Sequence, residues 1–275
     1  MITEDFPGLQ GEIERTQVMV FAGGMGKRMG INYPKALLEL DGQTLLDRCI
    51  EFYSNVGFTK FVFVLGYGHR EILQHMQKRE RGDITATYSI DPETGMGRAT
   101  SFRHALGSGA VDLSQRSMIV YPDDLFTDEK LPRQILSEHL WATKTLGTHG
   151  SLVLAKGLRW PYGTADVEES GLVTQFVEKP IVYYPASVGN YVFEPVVYGL
   201  VPDRSHNGPV ELEHTLIPQL SRSRKLYALF IPSESWLPIN TRKDLEEAQK
   251  TLAQIHSQKR APYGVPVLSA GDSRL

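Results

Sequence analysis

The sequence predicts an α/β fold in which a mostly parallel sheet is covered by helices on both faces. Short apolar runs alternate with amphipathic helical segments at regular spacing. Several of these runs are continuously apolar, which is typical of parallel strands buried on both faces. The hydrophobic content of 41% over 275 residues is ordinary for a globular domain, and no internal repeat interrupts the alternation.

The first half of the chain supplies most of this alternation. Residues 18–21 form an apolar run that ends at glycines, so we predict a buried strand there. Residues 45–53 place their apolar side chains on one helical face. The further predicted elements of this half are the strand 61–65, the helix 71–79, the strand 84–90, the helix 97–106 and the strand 118–121.

The second half changes character from residue 151 onward. It begins with short predicted strands and a hairpin, which indicate a small antiparallel insertion rather than an independent domain. These are the strand 151–156, the hairpin 163–178 and the strand 188–193, followed by a helix at 211–220, a strand at 226–231 and a helix ending near 256. The whole is predicted to be a three-layer, Rossmann-like, mostly parallel mixed sheet. One domain is expected over 1–256, with a nucleotide-binding half at 17–150, a second half at 151–256 and a tail at 257–275.

Composition narrows the classes of function. The net charge of −3 argues against general nucleic-acid binding, and no apolar run has the length of a membrane span. The single cysteine, Cys49, excludes an intrachain disulfide and a cysteine-rich zinc site. Residues 1–16 are too polar for a secretory signal, so a cytoplasmic protein is expected. The sequence leaves the oligomeric state open, and a homo-oligomer is one possibility.

A glycine-rich loop follows the first predicted strand. Gly23, Gly24 and Gly26 allow a bulky anion to approach backbone N–H groups, and a tight structural turn is the alternative reading. Arg28 and Lys35 add two positive charges to the same loop. The loop is therefore a candidate phosphate site.

Two standard phosphate motifs do not fit this loop. The P-loop motif requires Ser or Thr after Gly-Lys, where this chain has Arg28. The dinucleotide fingerprint requires a third glycine where this chain has Met29. A glycine loop with two cations suits a triphosphate better than a dinucleotide.

Two adjacent carboxylates, Asp123 and Asp124, follow the strand predicted at 118–121. They could cap a helix or form a solvated turn. However, ligands of such sheets bind outside the carboxyl ends of the strands, which places this pair beside the glycine loop. Because Mg²⁺ in triphosphate sites is held by one or two carboxylates and phosphate oxygens, the pair predicts a magnesium site.

The run from Ala22 to Met29, followed by Pro34-Lys35, resembles the signature loop of the nucleotidyltransferases that join a nucleoside triphosphate to a sugar 1-phosphate. Lys27 departs from the Thr that is usual there. The short spacer looks most like the N-acetylglucosamine 1-phosphate uridylyltransferase domain and the small cytidylyltransferases. The resemblance implies the nucleotide-diphospho-sugar transferase fold and Mg²⁺. It also implies nucleotide contacts from Ala22, Gly23, Gly24, Met25, Gly26, Lys27, Glu93, Met96, Gly97 and Asp123.

The resemblance continues into the antiparallel insertion. In the family, a Glu-Lys-Pro segment binds the sugar hydroxyls through Glu and the sugar phosphate through Lys, which this chain matches with Glu178 and Lys179. Gly163 and Asn190 match two further substrate contacts. A surface salt pair is the alternative reading of Glu178 and Lys179.

Two metal ligands are also implied by the resemblance. Asp123 matches the strand-terminal metal aspartate, although Pro122 replaces the usual glycine and leaves the register with Asp124 slightly open. Asn240 stands where some members place the second ligand and also reads as a helix cap. Many sugar members instead use an aspartate at the position of Pro238.

Glu93 suggests which nucleobase the triphosphate carries, because it stands where uridylyl-type members of the family have Gln. A carboxylate only accepts hydrogen bonds, and guanine offers it two adjacent donors. This favours GTP, then CTP, UTP or dTTP, as a hypothesis.

The implied reaction joins a nucleoside triphosphate to a sugar 1-phosphate and releases pyrophosphate. Arg28 would hold the departing phosphates and Lys35 the transferring α-phosphate. One rival is a cytidylyltransferase for a small alcohol phosphate or phosphonate, which would not need Glu178. Another is a non-catalytic regulatory or binding protein of the same fold. A glycosyltransferase is more distant, because Asp123-Asp124-Leu125 lacks the Asp-x-Asp spacing.

Overall fold

A mixed sheet organises the part of the chain that the structure describes. This computed structural model describes residues 5–26, 29–30, 32–79, 82–203 and 208–260. The first half contains α1 (Leu9–Glu14), β1 (Thr16–Phe21), β2 (Glu39–Leu40), β3 (Gln43–Thr44), α2 (Leu45–Ser54), β4 (Lys60–Leu65), α3 (His69–Lys78), β5 (Thr85–Ile90), α4 (Arg98–Gly107), β6 (Arg116–Val120), β7 (Asp124–Phe126) and α5 (Leu131–Leu146). The second half contains β8 (Gly150–Ala155), β9 (Leu158–Arg159), β10 (Thr164–Val167), β11 (Val173–Val177), β12 (Ile181–Val182), β13 (Ala186–Phe193), α6 (Leu216–Arg222), β14 (Leu226–Ile231), β15 (Trp236–Pro238) and α7 (Arg242–Arg260).

The described strands form one seven-stranded sheet in the order β14-β8-β13-β6-β1-β4-β5. β1 pairs in parallel with both β4 and β6, β4 with β5, and β14 with β8. β13 runs antiparallel to its two neighbours. The predicted mostly parallel mixed sheet is therefore confirmed.

Helices cover both faces of the sheet. Alternate residues of each central strand point to opposite faces, and the residues on both faces are apolar, so each face packs against helices. In β1, Val18 and Val20 pack into one apolar cluster with α2, α3 and α5. Met19 and Phe21 pack into a second cluster with α4 and α6. None of the described helices has both the length and the apolar character needed to span a membrane.

The structure contains helices that the periodicity of the sequence did not lead us to predict. α5 is one of them, and its buried face includes Ser137, Glu138 and His139. These polar side chains interrupt the apolar pattern by which a helix is recognised. The helix predicted at 211–220 is instead a 3₁₀ turn at Leu212–His214 followed by α6.

The antiparallel insertion stands apart from the main sheet as two small two-stranded sheets, β10 with β11 and β9 with β12. Large apolar side chains are exposed along it, including Tyr162, Leu172 and Phe176. A two-stranded sheet of this kind contributes little stability of its own. The seven-stranded sheet therefore supplies the rigid part of the fold.

Buried charges connect the helical layer of α5 to the sheet. The carboxylate of Glu194 lies 3.0 Å from Nε of Arg116 and 3.1 Å from Nε2 of His139, whose side chain is fully buried. Burial alone would raise the pKa of Glu194, but the hydrogen bond from His139 and the charge of Arg116 lower it to about 2. The ionised carboxylate is thus strongly favoured in the folded protein.

We expect Glu194→Gln to destabilise the protein near neutral pH. Because the pKa is about 2 in the folded chain and near its ordinary value when unfolded, the stabilisation is complete above about pH 5 and declines as the pH falls towards about 2. The free energy of unfolding of Glu194→Gln should be lower than that of the wild type by on the order of 3 kcal/mol at about pH 7. This difference should become smaller as the pH falls to about 3. Urea unfolding of the wild type and Glu194→Gln, at several pH values between about 3 and 7, measures this difference in the free energy of unfolding. The exposed Glu169→Gln is the control. A difference that does not change with pH would contradict the assignment.

Candidate active site

A cavity of about 650 Å³ opens at the carboxyl ends of neighbouring parallel strands. Its lining includes the residues that directly follow β1, β4, β5 and β6, which are Ala22, Gly66, Asp91 and Tyr121. Each parallel strand delivers one residue to the same edge of the sheet. The cavity therefore occupies the position at which this architecture binds ligands.

The glycine loop enters the cavity through a close backbone contact. A Cβ atom at Gly23 would lie 2.9 Å from the backbone nitrogen of Gly66, so a side chain there would force the two backbones apart. Gly23 and Gly24 both line the cavity. With no side chains in the way, their backbone can be approached by an anion.

Lys35 forms a direct ion pair with Oδ2 of Asp123 in the lining of this cavity. Lys35 begins a 3₁₀ turn after Pro34, and its backbone N–H donates to the carbonyl of Gly24 over 3.2 Å. Its side chain is only 12% exposed and that of Asp123 is 31% exposed. The loop after β1 and the end of β6 are therefore joined by a pair of opposite charges at the cavity wall.

Asp124 lies beside this pair and is partly buried. Its Oδ1 accepts a hydrogen bond of 2.9 Å from the indole of Trp236 in β15, which pairs with β7. Burial and the negative charge of Asp123 raise the pKa of Asp124. Gly189 permits the close approach of β13 here, since a Cβ atom would lie 3.2 Å from Oδ2 of Asp124.

Asn240 reaches the same cavity from the start of α7. The backbone N–H of Ile239 donates to the carbonyl of Asp123 over 2.8 Å, which fixes the segment against the end of β6. The backbone N–H groups of Asn240 and Thr241 donate to the carboxylate of Asp244, and the backbone N–H of Asp244 donates to the hydroxyl of Thr241, so Thr241 and Asp244 form a capping box at the start of α7. Asn240 and Asp123 thus line one wall.

The cavity lining also carries a network centred on Arg98, the first residue of α4. Oε2 of Glu211 accepts hydrogen bonds from both the backbone N–H and Nε of Arg98, at 3.0 and 2.9 Å. Glu213 lies 3.1 Å from the same guanidinium and accepts a hydrogen bond of 2.9 Å from the hydroxyl of Tyr191. This network fixes the position of two acidic side chains in the cavity.

The described lining is acidic overall. Five carboxylates face two cations in it. The carboxylates belong to Asp91, Asp123, Asp124, Glu211 and Glu213, and the cations to Lys35 and Arg98. A bound polyphosphate would therefore require further positive charge beyond these two side chains.

The structure brings many of the predicted site residues together. Those that line the cavity are Ala22, Gly23, Gly24, Lys35, Met96, Gly97, Asp123 and Asn240. Met25 and Gly26 belong to the same loop but do not line the cavity. Lys27 and Arg28 lie outside the described residues, so the roles predicted for them stay predictions.

The predicted sugar contacts lie apart from the cavity. The side chain of Glu178 is 63% exposed at the end of β11 and lies 4.0 Å from Lys179. Gly163 lies close to Glu178 at the start of β10. Asn190 is buried in the core, where its Nδ2 donates to the hydroxyl of Tyr53 over 2.8 Å. These four roles stay predictions.

Other cavity residues were not identified from the sequence. Glu93 is exposed and outside the lining, whereas Asp91, two residues earlier, lies inside it. Asp91 directly follows the predicted strand 84–90, and Asp123 comes two residues after the predicted strand 118–121, so this similar position could have identified Asp91. Arg98, Glu211 and Glu213 come together only through the packing of α4 against residues 208–213, which no local sequence pattern reveals.

We expect Asp124→Asn to stabilise the protein at alkaline pH. A carboxyl whose pKa is raised on folding lowers stability as the pH rises above its unfolded pKa. The amide keeps the acceptor for Trp236 and removes the charge. The free energy of unfolding should rise by about 1–3 kcal/mol at about pH 8.5 and by less at about pH 5. Chemical unfolding with EDTA present measures this, and an equal effect at both pH values would contradict it.

Comparison with known proteins identifies relatives that are named as a guanylyltransferase and a uridylyltransferase. "Probable mannose-1-phosphate guanylyltransferase 3" of Oryza sativa subsp. japonica is 26% identical over 237 residues, covering 83% of this chain and 62% of that protein. "UTP--glucose-1-phosphate uridylyltransferase AglF" of Haloferax volcanii is 24% identical over 261 residues, covering 88% of this chain and 98% of that protein. This chain therefore spans about three fifths of the length of the rice relative and nearly all of the length of the archaeal one.

Solved structures share the fold. HddC from Yersinia pseudotuberculosis superimposes with a TM-score of 0.61 at 16% identity, over 86% of this chain and 99% of that chain. The family model described as "Nucleotidyl transferase" matches residues 17–255. That match includes the glycine loop, the ion pair of Lys35 with Asp123 and the acidic side chains Glu211 and Glu213, and it shows that the chain belongs to the nucleotidyl transferase family.

Proposed function

We propose that this chain joins a nucleoside triphosphate to a sugar 1-phosphate, giving an NDP-sugar and pyrophosphate. The observation that carries the proposal is the shared cavity of the glycine loop, Lys35 and Asp123. An exposed backbone loop, an ammonium group and a carboxylate are the groups that triphosphate chemistry uses. The names of the guanylyltransferase and uridylyltransferase relatives support the same class of reaction.

In the proposed reaction, a phosphate oxygen of the sugar 1-phosphate attacks the α-phosphorus. The bond between the α-phosphorus and the bridging oxygen breaks, and pyrophosphate leaves with its electron pair. The attacking oxygen is already anionic, so the step needs no general base. The protein contributes alignment and positive charge, with Lys35 placed to stabilise the charge that develops on the α-phosphate.

Magnesium fits the groups at the end of β6. Asp123 and Asn240 offer a carboxylate and an amide oxygen on one wall, and such hard oxygen donors suit Mg²⁺. The excess of carboxylates in the described lining also calls for an additional cation. In triphosphate sites, Mg²⁺ is usually held by one or two protein carboxylates together with phosphate oxygens of the substrate. When bound, Mg²⁺ would neutralise charge on the triphosphate.

The sugar is proposed to lie on the side of Glu213. Its Oε2 is buried and has no hydrogen-bond partner among the described residues. A buried acceptor of this kind suits a neutral hydroxyl, which can donate. Glu178, Lys179, Gly163 and Asn190 remain predicted sugar contacts.

Measurement of pyrophosphate release tests the proposal. Purified protein with Mg²⁺ should be assayed with the four ribonucleoside triphosphates and dTTP against a panel of sugar 1-phosphates. Phosphocholine and 2-aminoethylphosphonate should be included to test the cytidylyltransferase rival. Release that depends on a sugar 1-phosphate supports the proposal, release only with the non-sugar acceptors favours the rival, and no release with any pair contradicts both.

We expect Lys35→Ala to lower kcat by at least about 100-fold, the scale of losing one donor that stabilises the transition state. The exposed Lys130, outside the cavity, provides a matched control as Lys130→Ala. Thermal unfolding of each variant shows whether the fold is retained. Near-normal turnover of a folded Lys35→Ala variant would remove Lys35 from the mechanism.

A further inference from the structure

The antiparallel insertion, residues 156–185, carries much of the exposed apolar surface of the molecule. More than half of the large apolar side chains that are exposed in the described part of the chain belong to it. The most prominent are Trp160, Tyr162, Leu172, Phe176, Tyr183 and Tyr184, which are between 43% and 82% exposed. Single apolar residues on a surface are ordinary, whereas a group of this kind on one short segment indicates an interaction site.

The insertion does not bury these side chains within its own fold. Every residue of β10 and β11 is exposed, and among the described strands these two pair only with each other. β9 and β12 are exposed and paired in the same way. A ribbon of two strands has open edges and is at best marginally stable in water. A surface from outside the insertion would therefore stabilise it.

The exposed apolar area is large enough for a stable protein–protein contact. At about 200 Å² for one fully exposed aromatic side chain, the six side chains named above together expose on the order of 800 Å². A standard interface takes about 800 Å² from each partner. Aromatic side chains are also the residues that contribute most to binding at such interfaces.

Charge is separated along the length of the insertion. Its tip, residues 163–177, contains three exposed carboxylates and no Lys or Arg. Its base, residues 156–162 and 178–185, contains three exposed cations and one carboxylate. The carboxylates of the tip are Asp166, Glu168 and Glu169, and the cations of the base are Lys156, Arg159 and Lys179. The insertion thus has an acidic end and a basic end.

We propose that the insertion is the interface of a homodimer, in which the insertions of two copies of this chain pack side by side and run in opposite directions. A two-fold axis places the acidic tip of each copy against the basic base of the other, so the surface is complementary to itself. Because the chain passes from the insertion into Ser187 and Gly189 of the cavity lining, the interface lies next to the candidate active site. The inference goes beyond the proposed reaction and does not depend on it.

The test reverses the charge of the tip and of the base in two separate variants of the full chain. One carries Glu168→Lys and Glu169→Lys, and the other carries Lys156→Glu and Arg159→Glu. Sedimentation velocity should show a wild-type dimer at micromolar concentration. Each variant alone should have a dissociation constant at least about 10-fold higher, because like charges then meet. An equimolar mixture of the two variants should dimerise about as tightly as the wild type, since each tip again meets a base of opposite charge.

A further variant tests the apolar part of the interface. Tyr183→Ser combined with Tyr184→Ser should raise the dissociation constant of the dimer by at least about 10-fold. Leu113→Ser, at an exposed apolar residue outside the insertion, is the matched control and should leave the constant unchanged. Thermal unfolding of each variant shows whether the fold is retained.

Three results would overturn the proposal. A wild type that stays monomeric at about 100 µM would exclude the dimer. A dimer that the charge and tyrosine variants leave unchanged would place the interface elsewhere. A mixture of the two charge-reversed variants that stays monomeric, when the wild type dimerises, would exclude the antiparallel arrangement. None of these results depends on whether the protein releases pyrophosphate, so this proposal and the proposed reaction fail separately.

Discussion

The ion pair between Lys35 and Asp123 is the interaction on which the site depends. β1 and β6 are adjacent parallel strands, so the loop after one and the residues after the other emerge at the same edge of the sheet. The pair joins these two segments in the lining of the cavity. Because both side chains are partly buried, loss of either charge would leave its partner poorly solvated. The pair therefore fixes the glycine loop and the carboxylate at one place.

The sheet could be predicted from the sequence because its central strands are continuously apolar. β1, β4 and β6 are buried on both faces and are followed by glycines or aspartates. That pattern identifies parallel strands and also indicates the edge at which ligands bind. The same reasoning predicted that Lys35 and Asp123 would share one site, and the family resemblance implied Asn240 as a further member. The structure brings all three residues to one cavity. The chemical role of each remains a proposal.

The other features of the fold and of the site could not be predicted from the sequence, because they depend on contacts between distant segments or on buried polar side chains. Arg98 meets Glu211 and Glu213 across more than a hundred residues of sequence, and a local pattern does not encode such a pairing. α5 carries a polar buried face that is stabilised by partners on β8 and next to β13. Asn190 lies within the irregular stretch of β13 between Ser187 and Tyr191, where its side chain is buried in the core and does not line the cavity. In each case tertiary packing decides the environment of the side chain.

A crystal structure with Mg²⁺ and a non-hydrolysable GTP analogue tests the central claim most directly. The account predicts phosphate density in the cavity, in contact with the backbone of Gly23 and Gly24 and with the ammonium group of Lys35, and a metal ion on Asp123. A nucleotide bound elsewhere on the molecule, or a cavity that stays without one at saturating concentration, would contradict it.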